Sequence, residues 1–235
     1  MNAYARDLTF GDKMFGTREL VDRQASVIKK TYGYLSLSVV AAIAGGFVGV
    51  STPAVVNFFS GFMGWILAMI LLNVMPMVAM AARGNPVLGL AALIGDGFVA
   101  GLVLAPILFM ASVIAPDIVW SAMAITAIVF AAVTAYVMTT KRTFSAPKGL
   151  GFGIFVSIIG AVILNSFLNI GFLGILISGA IGIFGVCILV FATSDILNNP
   201  EADSPIPGAL MLFAGLFNVF VAVLNILLAF SGGDD

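Results

Sequence analysis

The sequence predicts an all-α membrane protein, a bundle of seven transmembrane helices with its N-terminus in the cytoplasm and its C-terminus outside. The 235-residue chain is 61% hydrophobic and only 9% charged, and its mean hydropathy is +1.17. A soluble domain is about a quarter charged. Long apolar runs alternate with short polar joins, and a seven-span path places every Lys and Arg on one side.

Each apolar run is long enough to cross a bilayer, since about 20 apolar residues span a hydrocarbon core roughly 30 Å thick. The joins hold helix breakers such as Gly84-Asn85-Pro86. The third run is the longest, and it can tilt or break at Pro106. The runs are 31–52, 61–82, 87–114, 118–140, 149–168, 172–193 and 207–230.

Joins this short leave no room for a soluble domain, so we divide the chain into a cytoplasmic tail, 1–30, and a seven-helix transmembrane domain, 31–235. The Lys and Arg residues set the orientation. Of the ten, six precede the first run, Arg83 follows the second, and three lie between the fourth and fifth runs. The positive-inside rule assigns their common side to the cytoplasm.

Composition also excludes several classes of function. The chain has no His, which removes the commonest general base and metal ligand and rules out serine proteolysis of the usual Ser-His kind. An intramembrane aspartyl protease needs two facing Asp residues, whereas the spans contain one clearly ionisable residue, Asp96. We therefore expect no enzymatic activity and no cofactor.

Nucleic-acid binding is also not expected, because ten Lys and Arg residues spread along the chain do not form a basic patch.

Asp96 lies about ten residues, or roughly 15 Å, into the third run. An ionised Asp at that depth costs about 2.5–3.5 kcal/mol on insertion scales. Two interpretations remain open: a neutral Asp hydrogen-bonded to neighbouring backbone, and a carboxylate that lines an ion or proton path. Four asparagines in or near the spans are interpreted first as hydrogen-bonding links between helices, with a ligand role as the alternative. They are Asn73, Asn165, Asn218 and Asn225.

Small residues recur at spacings that allow helix backbones to approach closely in lipid. We expect tight packing at Ala41, Gly45 and Gly49 in the first run, at Gly97 and Gly101 in the third, and at Gly179, Gly182 and Gly185 in the sixth.

Four stretches, in order along the chain, carry a resemblance to a known family. They are "TYGYLSLSVVAAIAGGFVG" (31–49), "GDGFVAGLVLAPILF" (95–109), "ILVFATSDILNN" (188–199) and "ALMLFAGLFNVFVAVLNIL" (209–227). Together with the span count and orientation, they resemble the bacterial branch of the Bax inhibitor family of seven-helix membrane proteins. The resemblance implies a multi-pass protein of the bacterial inner membrane that acts as a passive calcium leak gated at its cytoplasmic end.

The resemblance also implies roles for particular residues. Asp195 matches the family's sixth-helix Asp, a transient cation contact, and Arg83 matches the Arg that latches onto it. Asn218 matches the seventh-helix Asn, and with Asp96 it is a candidate for the ion path. The family's second Asp is replaced here by Gly215. Without that like charge, we expect Asp195 to stay ionised beside Arg83 at neutral pH, so the family's pH response is not expected.

Two functions follow from this reading. The first is a calcium or other cation leak in the bilayer. The alternative is a membrane interaction protein that modulates a membrane-bound AAA protease or a stress response, as some family members do, and a charged N-terminal tail suits such docking.

Overall fold

The structure, a computed structural model, describes residues 10–140, 143–145, 150–168, 170–198 and 204–232, and every regular element within them is a helix. A 3₁₀ turn, Ala82–Gly84, joins the third helix to the fourth. The α-helices are α1 (Phe10–Val50), α2 (Pro53–Ser60), α3 (Phe62–Ala81), α4 (Pro86–Val103), α5 (Ala105–Ile114), α6 (Asp117–Thr139), α7 (Leu150–Leu168), α8 (Gly171–Asn198) and α9 (Pro205–Ser231).

Within the described residues, six helices are long and apolar enough to cross a membrane. They coincide with the first four predicted runs and the last two, so the prediction of an all-α, polytopic membrane protein is confirmed. Helix α7 covers the fifth predicted run, but its described apolar section, Val156–Asn165, is shorter than a span. The seventh crossing and the orientation of the termini stay predictions.

Helix α1 is much longer than its membrane span. It runs from Phe10 to Val50 without interruption, while its apolar section begins at Gln24. The residues of the predicted tail from Phe10 onward therefore belong to the same helix as the first span. The 14 helical residues before Gln24 extend about 21 Å at 1.5 Å per residue.

The third predicted run divides into α4 and α5 at Leu104, two residues before Pro106. Proline has no N–H to bond the Leu102 carbonyl, and its ring crowds that same carbonyl. The Leu104 N–H instead bonds the carbonyls of Gly101 and Leu102 and closes α4. The break that the sequence allowed at Pro106 is thus present.

Glycines bring the backbones of α1 and α4 into direct contact. A Cβ added to Gly97 would overlap the Ser38 carbonyl, and one added to Gly101 would overlap the Ala42 carbonyl. The Ser38 hydroxyl also donates to the Leu93 carbonyl across this interface, at 3.3 Å. The close approach predicted for these spans is confirmed, and we call this interface the glycine seam. Its glycines are Gly45, Gly49, Gly97 and Gly101.

Helices α8 and α9 form a second tight pair, packed antiparallel. A Cβ on Gly185 would lie 2.8 Å from the Gly215 carbonyl oxygen, and one on Gly182 would lie 3.1 Å from the Ala222 Cβ. Close packing is therefore confirmed at these two glycines, whereas Gly179 faces open space. Helix α9 also packs against α1 and α6, while α7 packs mainly against α8.

The outer faces of the helices are apolar. Phe47 is 75% exposed, Phe62 73% and Trp120 71%. Large exposed apolar surfaces are unfavourable in water but match hydrocarbon, in which helices satisfy their own backbone hydrogen bonds. These faces are suited to contact with lipid.

Candidate functional site

Hydrogen bonds from side chains tie several helix ends together at one end of the bundle, which we call the capped end. Two of the bonds connect α1, one to the last turn of α8 and one to the first residue of α9. A third connects the turn before α4 to the residue before α9, and a fourth connects the segment after α6 to α8. They are Gln24 Nε2 to Leu197 O (2.9 Å), Thr31 Oγ1 to Pro205 O (3.4 Å), Ser204 Oγ to Arg83 O (3.3 Å) and Phe144 N to Ser194 Oγ (2.8 Å).

Leu197 lies in the last turn of α8, where a helix leaves carbonyl groups unpaired, and the Gln24 amide fills one of these positions. The Ser204 hydroxyl also caps α9 by accepting from the Ile206 N–H at 3.3 Å. The Asn198 amide donates to the Ser194 carbonyl within α8 at 2.8 Å. The described contacts at the capped end are therefore neutral hydrogen bonds.

Arg83 and Asp195 both lie at the capped end, as the resemblance implies, but they form no ion pair among the described residues. Arg83 sits in the 3₁₀ turn with its side chain exposed, and its carbonyl receives the Ser204 hydroxyl. Asp195 is an exposed residue in the last turn of α8, between the buried Ser194 and Ile196. Because both side chains point away from the core, the implied latch is not formed in this conformation.

Gly215 lies deeper in the bundle than Asp195. A Cβ at Gly215 would lie 2.8 Å from Leu189 Cδ2 and 3.0 Å from the Gly185 carbonyl oxygen. Leu189 precedes Asp195 by six residues, about 9 Å along the helix axis. A carboxylate at position 215 would therefore meet Leu189 first, and it would not stand directly opposite Asp195.

Asp96 lies on the face of α4 that points into the bundle. It is 4% exposed, and its helical neighbours on that face, Leu93 and Ala100, are 0% and 2% exposed. The Asp96 carboxylate accepts no hydrogen bond from the part of the chain that the structure describes. The two interpretations of Asp96, a neutral Asp hydrogen-bonded to neighbouring backbone and a carboxylate that lines an ion or proton path, both stay predictions.

Within the described residues, three of the four asparagines bond their own helix, in contrast to the helix-to-helix links of the first interpretation. Asn73, Asn218 and Asn225 each donate to the carbonyl four residues earlier in their own helix, at 2.7–2.9 Å. Asn165 accepts from the Ile170 N–H at 3.2 Å, at the join of α7 to α8. A helix offers each Asn a carbonyl one turn away, and that local bond is satisfied without a partner helix. Asn218 also packs close to Gly185, at the α8–α9 interface.

A pocket of about 610 Å³ opens at the other end of the bundle, between α5 and the last turns of α9. Pro106, Met110 and Leu228 line it with apolar surface, and Asn225 supplies an amide. No group of three or more Asp, Glu, His or Cys side chains positioned to hold a metal ion occurs in the described residues. The carboxylates of Asp96 and Asp195 lie on different helices, α4 and α8, and do not belong to such a group.

The helices, the lipid-facing surface and the interior polar groups define a polytopic α-helical membrane protein. A family model described as "Inhibitor of apoptosis-promoting Bax1" matches residues 24–232. The chain belongs to this family, the Bax inhibitor family.

Three bacterial relatives align with this chain over most of their length. An uncharacterized protein of Campylobacter jejuni is 29% identical over 98% of this chain and 99% of its own. A protein of Escherichia coli K12 named "Modulator of FtsH protease YccA" is 30% identical over 86% of this chain and 89% of its own. A protein of another Escherichia coli strain, named "Inner membrane protein YccA", matches with the same figures.

Proposed function

We propose that the protein is a passive cation leak, with Ca²⁺ as its main ion, closed at the capped end. The observation that carries the proposal is the Asp96 carboxylate, buried on the inner face of α4 without a hydrogen-bond partner among the described residues. A carboxylate at that depth is expensive for a membrane protein to keep. Ionisable residues inside membrane spans mark ion or proton paths. There, contact with a passing cation or water offsets the free-energy cost of burying the carboxylate.

We further propose that the bundle crosses the inner membrane seven times, with the capped end in the cytoplasm. The crossings are α1, α3, α4 with α5, α6, α7, α8 and α9. The location of Arg83 and of Phe144 at the capped end, Phe144 bonded to Ser194 near the end of α8, supports this path. The name of one relative, "Inner membrane protein", supports the choice of membrane.

In this proposal the neutral hydrogen bonds of the capped end hold the leak closed, and Asp195 is the first carboxylate that a cytoplasmic cation meets. The pairing of Arg83 with Asp195 that the resemblance implies stays a prediction, and both side chains are exposed here. Asn218 lies beside the tight Gly185–Gly215 contact. Its side-chain carbonyl oxygen accepts no hydrogen bond from the described residues and is a further polar group for a permeating ion.

Ion flux into proteoliposomes that contain only this chain tests the proposal. Flux of Ca²⁺, K⁺ and H⁺ is compared for the unaltered protein, Asp96→Asn and the control Asp117→Asn. Asp117 is an exposed carboxylate in the first turn of α6, so removing its charge leaves the interior unchanged. We expect Ca²⁺ flux above that of empty vesicles, a loss of most of it in Asp96→Asn, and no loss in the control. Flux equal to that of empty vesicles would rule out the leak.

The second candidate function is modulation of a membrane-bound AAA protease. It is favoured by the relative named a modulator of FtsH protease and by the helical extension of α1 before Gln24, which offers a rigid docking element outside the span. Degradation of a membrane substrate by the reconstituted protease, with and without this chain, tests it. The two functions separate because Asp96→Asn should abolish the leak and leave modulation unchanged.

We propose no enzymatic activity. The chain has no His, and Asp96 is the one carboxylate buried within the described spans. An aspartyl protease would need a second carboxylate opposite it.

A further inference from the structure

Three hydroxyl groups from three different helices meet inside the bundle, near its capped end. They are those of Tyr32 on α1, Thr134 on α6 and Thr193 on α8. The Tyr32 hydroxyl lies close to the hydroxyls of Thr193 and Thr134, but no pair of them has the geometry of a completed hydrogen bond, and all three oxygen atoms are buried.

The two threonines differ from the others in the membrane-spanning helices. Thr31, Thr126 and Thr139 donate to the carbonyl four residues earlier, at 2.7–2.9 Å, which is the usual local bond of a helical Thr. Thr134 and Thr193 make no such bond within the described residues. Their hydroxyls instead lie close to the Tyr32 hydroxyl.

Among the described residues, the surroundings of the three hydroxyls supply no other polar partner. Tyr32 packs into a cluster with Leu35, Val133 and Ala192, and the Phe130 ring lies 6.3 Å from the Tyr32 ring between centroids. Thr193 is 0% exposed. A buried hydroxyl without a hydrogen-bond partner loses the free energy of its hydration. In native proteins an ordered internal water commonly supplies the missing hydrogen bond.

We propose that the hydroxyls of Tyr32, Thr134 and Thr193 bind an ordered water molecule that links α1, α6 and α8. Each hydroxyl donates one hydrogen bond and accepts two, and a buried water typically makes about three bonds. A neutral water suits three neutral hydroxyls. A dehydrated cation does not, because no carboxylate is present in the cluster to compensate its charge.

The site has a mechanical role in the bundle. Helix α1 packs mainly against α4 and α9, and α6 packs against α8 and α9. The Tyr32 side chain reaches from α1 to the α6–α8 pair. The bridging water therefore connects α1 directly to α6 and α8 beneath the capped end. This inference is independent of whether the protein conducts ions.

Two measurements on the full chain test the site. A structure at a resolution that reveals ordered water should contain density within hydrogen-bond distance of at least two of the three hydroxyl oxygens. Hydroxyls bonded directly to one another, with nothing between them, would overturn the proposal.

The second measurement is thermal unfolding in detergent of Thr193→Val, Tyr32→Phe and the double variant. Each nearly isosteric change removes one partner of the water, so we expect Tm to fall by about 2–4 °C for each and the double variant to lose less than the sum. Thr126→Val removes one intrahelical bond to Ala122, and its change in Tm gives the effect expected for an ordinary buried Thr. An unchanged or raised Tm in Thr193→Val would mean that a dry, unpaired hydroxyl had been removed, and this would also overturn the proposal.

Discussion

The glycine seam makes a prediction that depends only on the described backbone. In Gly101→Ala, the new methyl group overlaps the Ala42 carbonyl oxygen and lies 2.7 Å from the carbonyl carbon and 2.8 Å from the Gly46 nitrogen. Ordinary contact begins at 3.4 Å, so α1 and α4 must separate by at least about 0.7 Å locally. Because these obstacles are backbone atoms, no side-chain rotation can relieve them.

The cost can be estimated from two opposing effects. Overpacking a tightly packed interior costs about 1–3 kcal/mol and occasionally more, and a backbone clash belongs at the upper end of that range. Alanine regains about 1 kcal/mol of helix propensity over glycine. The expected net loss is about 2 kcal/mol, which lowers the Tm of a chain of this size by about 4–8 °C.

Thermal unfolding in detergent, followed by the intrinsic fluorescence of Trp65 and Trp120, measures this loss. The matched control is Gly179→Ala, a helical glycine whose added Cβ meets no atom within 4 Å. It should keep its Tm or raise it by up to about 4 °C through the gain in propensity. If Gly101→Ala is as stable as Gly179→Ala, the backbones of α1 and α4 do not touch as described.

The remaining predictions concern topology, charge and pH. A reporter fused after the last residue should be external, and one in the 141–148 join should be cytoplasmic, because every Lys and Arg falls on that side; a cytoplasmic C-terminus would contradict the seven-span path. Arg83→Gln should change the free energy of unfolding by less than about 1 kcal/mol, since an exposed charge without an ion pair contributes little, and a larger loss in chemical denaturation would reveal a pair. Gly215→Asp should lower Tm because its Cβ already meets Leu189 at 2.8 Å, and an unchanged Tm would indicate looser packing of α8 on α9. Asp195→Asn should leave the pH dependence of calcium flux between about pH 6 and 8 unchanged, because no second carboxylate faces Asp195 among the described residues, and a pH dependence that disappears in this variant would contradict the reasoning.

The fold class could be predicted from the sequence because lipid imposes simple rules. A span needs about 20 apolar residues, and glycines four residues apart permit close helix packing. Both rules act within one helix, so they can be read without knowing its neighbours. Pro106 likewise acts on its own helix, and the break at Leu104 follows from the missing N–H.

The details of the site could not be predicted in this way because they depend on which helices face one another. Gln24, Ser194 and Ser204 are ordinary polar residues, and nothing in the sequence indicates their partners. Thr134 and Thr193 resemble the threonines that bond their own backbone. An Asn in a span can bond either another helix or the carbonyl one turn away in its own helix, and the sequence does not distinguish the two.

The pairing of α1 with α4 also has a consequence for biogenesis. Gly45 and Gly101 contribute to the same contact, yet 56 residues separate them along the chain. At a synthesis rate of about 5–20 residues per second, the first span waits roughly 3–11 s before its partner has been translated. During that interval its glycine face is open to lipid and to neighbouring proteins, so the nascent chain passes through a stage in which another membrane component can occupy the place reserved for α4.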